Sequence, residues 1–241
     1  MKNTLLLILV LFVLDSQAQD STTYVYNKYI ETIGGRARLN EVKTITEISQ
    51  SMMITQEEED VTYSFYQKNK HRTELTKNKK ISSCMCFDGN NNWFTMEGKQ
   101  PKKYFNKFAK LNPDSTQTKS NSMFNRLVNY EENKASIRLV KPENKFENAI
   151  YYVIEYQEPN TDIKHRFYIS RLTYLLDKSD LVNNPYNMVQ HYENYKRVDG
   201  ILMPFLDRGT MINGTQTSIS EVVSYKFNEV FDPEIFKCFV K

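Results

Sequence analysis

Apolar and polar positions alternate with a period of two over most of this chain, the pattern of half-buried strands. The rhythm begins differently. Tyr24, Tyr26, Tyr29, Ile30 and Ile33 fall at helical spacing, and Gly34-Gly35 supplies the stop expected just past a helix end. A second short turn, Arg36 to Val42, turns Leu39 and Val42 inward. Strand signals start at Thr44, where Ile48, Met52 and Ile54 share one parity and Ser49 and Ser51 the other. The acidic run Gln56 to Asp60 reads as a solvated hairpin tip. Val61, Tyr63 and Phe65 then alternate with Thr62, Ser64 and Tyr66, and His71 to Thr76 and Ile81 to Phe87 continue the pattern. Asp88 to Asn92 is a turn before Trp93 to Met96.

The period changes after Pro101. Tyr104, Phe105, Phe108 and Leu111 lie on one face of a short amphipathic helix, bounded by Pro101 and Pro113. Met123, Phe124, Leu127, Val128 and Tyr130 predict a second. Strands return from Ala135, with Ile150, Tyr152, Ile154 and Tyr156 on one face, a turn at Glu158 to Thr161, and a hairpin of His165 to Ser170 with Leu172 to Asp177. The clearest local signal is His191 to Gly209. Its arms, Asn187 to Arg197 and Ile201 to Asn213, meet at Asp199-Gly200, a dipeptide whose glycine accepts the positive φ of a tight turn. Pro204 cannot donate to a ladder, so the returning arm breaks there. Asn213-Gly214 leads into Ser218 to Phe227, where Ile219, Val223, Tyr225 and Phe227 are expected on one face, and a Phe/Pro tail, Phe231 to Phe236, closes the chain. About ten strands joined by short turns, with helices at the front and middle, predict one wide antiparallel sheet in a single mainly β (α+β) domain.

The first residues change the picture of where this domain works. Lys2, the apolar run Leu5 to Leu14 and Ser16-Gln17-Ala18 have the form of a cleaved secretory signal, placing the boundary after residue 18 and the single domain at 19–241. The run is too short to span a bilayer. No cysteine follows for acylation, so the expected location is periplasmic or otherwise exported. A net charge of +3 argues against a nucleic-acid footprint. With 16 Tyr and 14 Phe against 7 Gly, the composition favours long strands over a glycine-rich enzyme. Of three cysteines, Cys84 and Cys86 share a strand face and suit buried thiols, with pairing of Cys238 to either left open.

Candidate chemistry is sparse. His71, His165 and His191 stand apart, in no metal or triad context, and no GxSxG elbow or phosphate loop occurs. The reading is a non-enzyme with no catalytic residues, no cofactor and no metal. Lys77, Lys79, Lys80, Lys99, Lys102, Lys103, Lys107 and Lys110 make the centre basic, which fits a solvated face or an approach to anionic headgroups. Asp20-Ser21-Thr22, Asp114-Ser115-Thr116 and Asn213-Gly214-Thr215 match short glycosylation patterns, which turns also produce by chance.

Five segments carry a family resemblance: YIETIGGRARLNEVKTIT (Tyr29 to Thr46), FDGNNNW (Phe87 to Trp93), HRFYISRLTYLLDKS (His165 to Ser179), HYENYKRVDGILMPF (His191 to Phe205) and YKFNEVFDPEIFK (Tyr225 to Lys237). In their order and spacing the chain resembles the periplasmic lipoprotein-carrier (LolA/LolB-like) superfamily, in its outer membrane lipoprotein-sorting branch. The resemblance implies a strongly curved antiparallel sheet, an incomplete barrel, with helices over its concave face. It also implies an apolar cavity for a lipid or lipoprotein acyl chain. Under it, Met52, Ile54, Tyr63, Phe65, Trp93, Phe105, Phe108, Tyr152, Ile154 and Tyr156 are the candidate lining, and ordinary core packing explains each as well. An envelope sensor or protein-interaction module on the same fold is the alternative, with an envelope protein as partner. The expected state is a monomer.

Overall fold

The computed structural model describes residues 21–53, 60–103, 124–142, 144–159, 162, 164–182, 188–211 and 215–237. Helix α1 (Thr22–Ile33) begins where the Ser21 hydroxyl accepts the Tyr24 N–H at 3.1 Å, satisfying one of the donors a helix start leaves open. Its buried face is Val25, Tyr26, Tyr29, Ile30 and Ile33. Gly34 ends it at φ 141°, and α2 (Arg36–Glu41) follows with Leu39 and Val42 buried, as the spacing predicts.

Thirteen strands pair antiparallel into one sheet. Along the chain the first six are β1 (Thr44–Met53), β2 (Asp60–Gln67), β3 (Lys70–Lys77), β4 (Lys80–Phe87), β5 (Asn92–Met96) and β6 (Lys102–Lys103). The sheet continues with β7 (Ser136–Val140), β8 (Tyr151–Gln157), β9 (Lys164–Ser170), β10 (Leu176–Leu181) and β11 (Met188–Glu193). A separate two-stranded ribbon, β12 (Lys196–Val198) with β13 (Ile201–Met203), precedes β14 (Leu206–Met211) and β15 (Gln216–Phe227). The order β6-β5-β4-β3-β2-β1-β15-β14-β11-β10-β9-β8-β7 joins the first strand to the last at the middle and leaves β6 and β7 as edges. Strand twist accumulated over this width curls the sheet, and it stays an incomplete barrel. Its concave face meets α1 in one core: Ile45 from β1, Tyr152, Ile154 and Tyr156 from β8, Phe167 and Ile169 from β9, Leu176 and Ile201.

The Asp199-Gly200 turn forms as expected, with φ of 44° and 86° at its two central residues, and the ladder breaks at Pro204. Beyond that break β12–β13 leaves the main sheet and folds over the concave side, where Ile201 is fully buried.

Several expectations are corrected. The described strands number fifteen rather than ten. The predicted 104–111 helix lies outside the described residues. The predicted 123–130 helix, described from Phe124, is a run of turns through Lys134 with several bonds three residues apart, although Leu127 and Val128 are buried as proposed. A short helix α3 (Lys145–Ile150), capped by Asn144, was not foreseen because it buries no residue and so has no apolar face to read. Ile150 belongs to it. Leu172 is 90% exposed in the turn after β9, and the next strand starts at Leu176, because a reverse turn needs surface rather than apolarity. Asp60 is buried at the start of β2 beside Lys77 Nζ at 3.4 Å, not solvated at a hairpin tip. In β15 the face assignment fails at a bulge. Ile48 pairs with Ser224 but Ser49 with Val222, so Val223 is the extra residue and is 57% exposed.

Candidate functional site

A cavity of about 250 Å³ lies between α1, the ribbon and the concave sheet face. Its floor comes from the middle of the sheet. Ile45 and Glu47 of β1, Tyr66 of β2, Ser220, Val222 and Tyr225 of β15, and Asp207 of β14 all face it. The register explains the set: Ile45 pairs with Tyr66, and Glu47 with Tyr225, and directly opposed residues share a face. The bulge at Val223 then brings Val222 and Ser220 to the same side as Tyr225. The roof is Tyr29 and Ile33 of α1, Ile201 to Met203 of β13, and Pro204. Tyr192, Tyr195, Leu176, Phe124, Asn125 and Val128 close the sides.

Hydrogen bonds fix these walls. Asn125 Nδ2 donates to the Tyr29 hydroxyl at 2.6 Å, while Arg36 and the Tyr26 hydroxyl both donate to the Val128 carbonyl, at 2.9 and 3.1 Å. The Tyr195 hydroxyl donates to the Leu176 carbonyl at 2.7 Å, and Tyr225 to that of Pro204 at 3.0 Å, which staples the ribbon to β15. Tyr192 shares a 3.0 Å hydroxyl contact with Ser179. Burial raises all these phenols, Tyr192 to about 12, so they remain neutral donors and aromatic faces at physiological pH.

The polar part is acidic. Burial pushes the Asp207 carboxyl up to about 7, and the nearby Glu47 charge adds to the shift. Burial likewise raises Glu47. Gln190 Nε2 donates to Asp207 Oδ1. Against the rise at Glu47, hydrogen bonding by the Tyr225 and Ser49 hydroxyls favours its ionised form. Among the described residues no Lys, Arg or His lines the cavity, and neither carboxyl makes an ion pair.

Of the ten residues expected to line a pocket, the six whose side chains are described, Tyr63, Phe65, Trp93, Tyr152, Ile154 and Tyr156, lie outside the described lining of this cavity. Tyr152, Ile154 and Tyr156 do face the concave side, but they pack in the core with α1. Tyr63 and Phe65 alternate with the cavity residue Tyr66 and so lie on the opposite face. There Phe65 meets Phe231 edge-on at 5.7 Å, and Tyr63 lines a second, more open groove with Glu74 and Thr76. Trp93 packs by Cys84 and Cys86 on that same outer face and donates from Nε1 to Asp88 at 2.7 Å. Met52 falls in β1 opposite Ile219, and Ile54, Phe105 and Phe108 lie outside the described residues, as does Cys238. The signal missed in the sequence was acidic: Glu47 and Asp207 stand within strands, where no turn explains them.

The histidines are not gathered. Burial lowers His71, which sits by Phe87, and His191 contacts the Thr210 hydroxyl at 2.9 Å. Burial and Arg126 hold His165 down at about 3. Among the described residues no three His, Cys, Asp or Glu side chains form a group able to hold a metal ion. No described helix is long and apolar enough to cross a membrane.

No protein-family model and no curated protein matches the sequence. Solved structures do match. A LolA superfamily protein from Nitrosomonas europaea superposes with a TM-score of 0.58 at 12% identity, covering 88% of this chain and 95% of that one. An outer membrane lipoprotein-sorting protein domain from Vibrio parahaemolyticus gives 0.59 at 12%, with 88% and 96% covered. A DUF1329 family protein from Desulfovibrio piger gives 0.60 at 9%, with 90% and 97% covered. The fold is therefore LolA-like.

Proposed function

We propose that this chain is an exported, non-catalytic binding protein that holds a small hydrophobic or amphipathic ligand, such as a lipid acyl chain, between its curved sheet and α1. The observation that carries the reading is the roofed cavity itself, walled by Tyr, Ile, Leu, Val, Phe and Met side chains with a few convergent polar groups. Its LolA-like fold supports the same role, since one similar structure is described as a lipoprotein-sorting domain. The signal-like first 18 residues support export. At about 250 Å³ the cavity falls just below the roughly 300–1,000 Å³ of drug-sized sites, which favours one short chain or headgroup over a bundle of long acyl chains. Native mass spectrometry of gently purified protein, followed by lipid extraction, tests this. A ligand-bound species that denaturation releases is expected. Protein that carries nothing and takes up no added decanol or decanoate contradicts the reading.

A second reading, protein interaction, draws on the outer third of the sheet. Met85 and Met96 are each 45% exposed, on the same sheet face as Phe94. On that reading Met85→Lys with Met96→Lys removes an envelope protein crosslink and leaves ligand uptake intact. Loss of ligand uptake without loss of a crosslink argues against it.

A further inference from the structure

We propose that the acidic wall of the cavity recognises a positively charged headgroup, an ammonium, so that the ligand is a cationic amphiphile whose apolar part fills the remaining space. This deepens the binding reading above and rests on it.

Three features of the cavity point the same way. Among the described residues its carboxyls are Glu47 and Asp207, delivered from strands on either side of β15, and the described lining contains no basic residue. A fatty-acid or phosphate headgroup would meet like charge there. Removed from water, two neighbouring carboxyls must either hold protons or face a cation. Tyr66, Tyr192, Tyr195 and Tyr225 surround them, and the faces of aromatic rings attract ammonium groups, most strongly where water is excluded. Aromatic walls beside carboxylates are the chemistry that holds an alkyl- or trimethylammonium while its chain packs against Ile33, Val222 and their neighbours.

The raised Asp207 and Glu47 agree with carboxyls that keep their protons until a cation replaces them. Binding then competes with protonation. Among the described residues the titratable groups lining the site with Asp207 are Glu47 from β1, Tyr66 from β2, Tyr225 from β15, Tyr29 from α1, and Tyr192 and Tyr195 from β11 and the segment after it. The tyrosines stay neutral, so the two carboxyls govern the pH response. Ligand affinity falls as pH drops through about 7.

The test is calorimetric titration of the lipid-stripped full chain at pH 8 with decyltrimethylammonium, 1-decanol and decanoate, which share one tail and differ in charge. The cation is expected to bind about tenfold or more tighter than decanol, the scale of a desolvated cation held by aromatic faces. The Glu47→Gln, Asp207→Asn double variant is expected to bind the cation no better than decanol. Both substitutions keep side-chain size and remove a buried charge, so the variant folds. Thermal melting checks that directly. Decanol binding as tightly as the cation, or a double variant that keeps its preference for the cation, overturns the proposal and leaves the cavity reading standing. Binding of none of the three probes overturns both.

Discussion

Arg38 donates from Nε to the carbonyl oxygen of Asp199 at 2.7 Å, tying the second helix to the tip of the β12–β13 ribbon. The same junction brings Gly34 against Gly200: a methyl on Gly34 would stand 3.1 Å from the Gly200 oxygen. Gly34 therefore lets the helix end and the hairpin turn touch, while both glycines sit at a positive φ.

Gly34→Ala and Gly200→Val are expected to destabilise the fold by about 1–3 kcal/mol each, the cost of strained backbone. Urea unfolding measures this. The ribbon forms the cavity roof, so both variants are also expected to bind ligand more weakly. Unchanged unfolding midpoints would remove the junction from the account.

Asp207 gives stability a pH dependence of definite sign. Its carboxyl titrates near 3.8 when unfolded and near about 7 in the fold, so between these values the folded chain holds the extra proton. Its contribution is present below about pH 4 and lost as pH rises through about 7. Asp207→Asn should flatten the fall across that window and leave a protein more stable than wild type above it. Urea midpoints at several pH values give the answer.

His165 has the opposite sign. Its ring drops from 6.5 to about 3, so the folded chain resists a proton that the unfolded chain accepts below about pH 6.5. Stability is lost as pH falls from that value toward about 3. His165→Gln should weaken this acid sensitivity without altering the alkaline limb, as the same urea series at low pH would show.

Arg126 pairs with Glu158, whose side chain is 1% exposed. Arg126→Met leaves that carboxylate buried without its cation, and about 3–5 kcal/mol of stability should be lost. Adding Glu158→Gln should restore much of it. A double-mutant cycle by denaturant unfolding that shows no coupling contradicts this role.

What the sequence disclosed follows from where alternation holds. The Asp199-Gly200 turn, the break at Pro204, α1 and the wide antiparallel sheet follow from local rules of φ, hydrogen bonding and period. The cavity did not, for two physical reasons. Its floor is partly polar, with Glu47, Ser220 and Asp207 facing in. Meanwhile the other sheet face is covered by the C-terminal tail, where Phe231 and Phe236 pack near Phe65 and Arg72 donates to the Ile235 and Lys237 carbonyls. On β2, Tyr63 and Phe65 therefore lie on the face opposite Tyr66. In β15, the bulge at Val223 changed which parity points inward, and nothing in SEVVSYKF announces it.

The central claim, that a ligand occupies the space above Ser220, is tested most directly by filling that space. Ser220→Phe puts a ring into the cavity at an overpacking cost of about 1–3 kcal/mol. Titration of lipid-stripped wild-type and variant protein with decyltrimethylammonium and decanol should give saturable binding in the wild type and none in a variant that still melts cooperatively. Equal binding by the two proteins would place the ligand elsewhere and contradict the account.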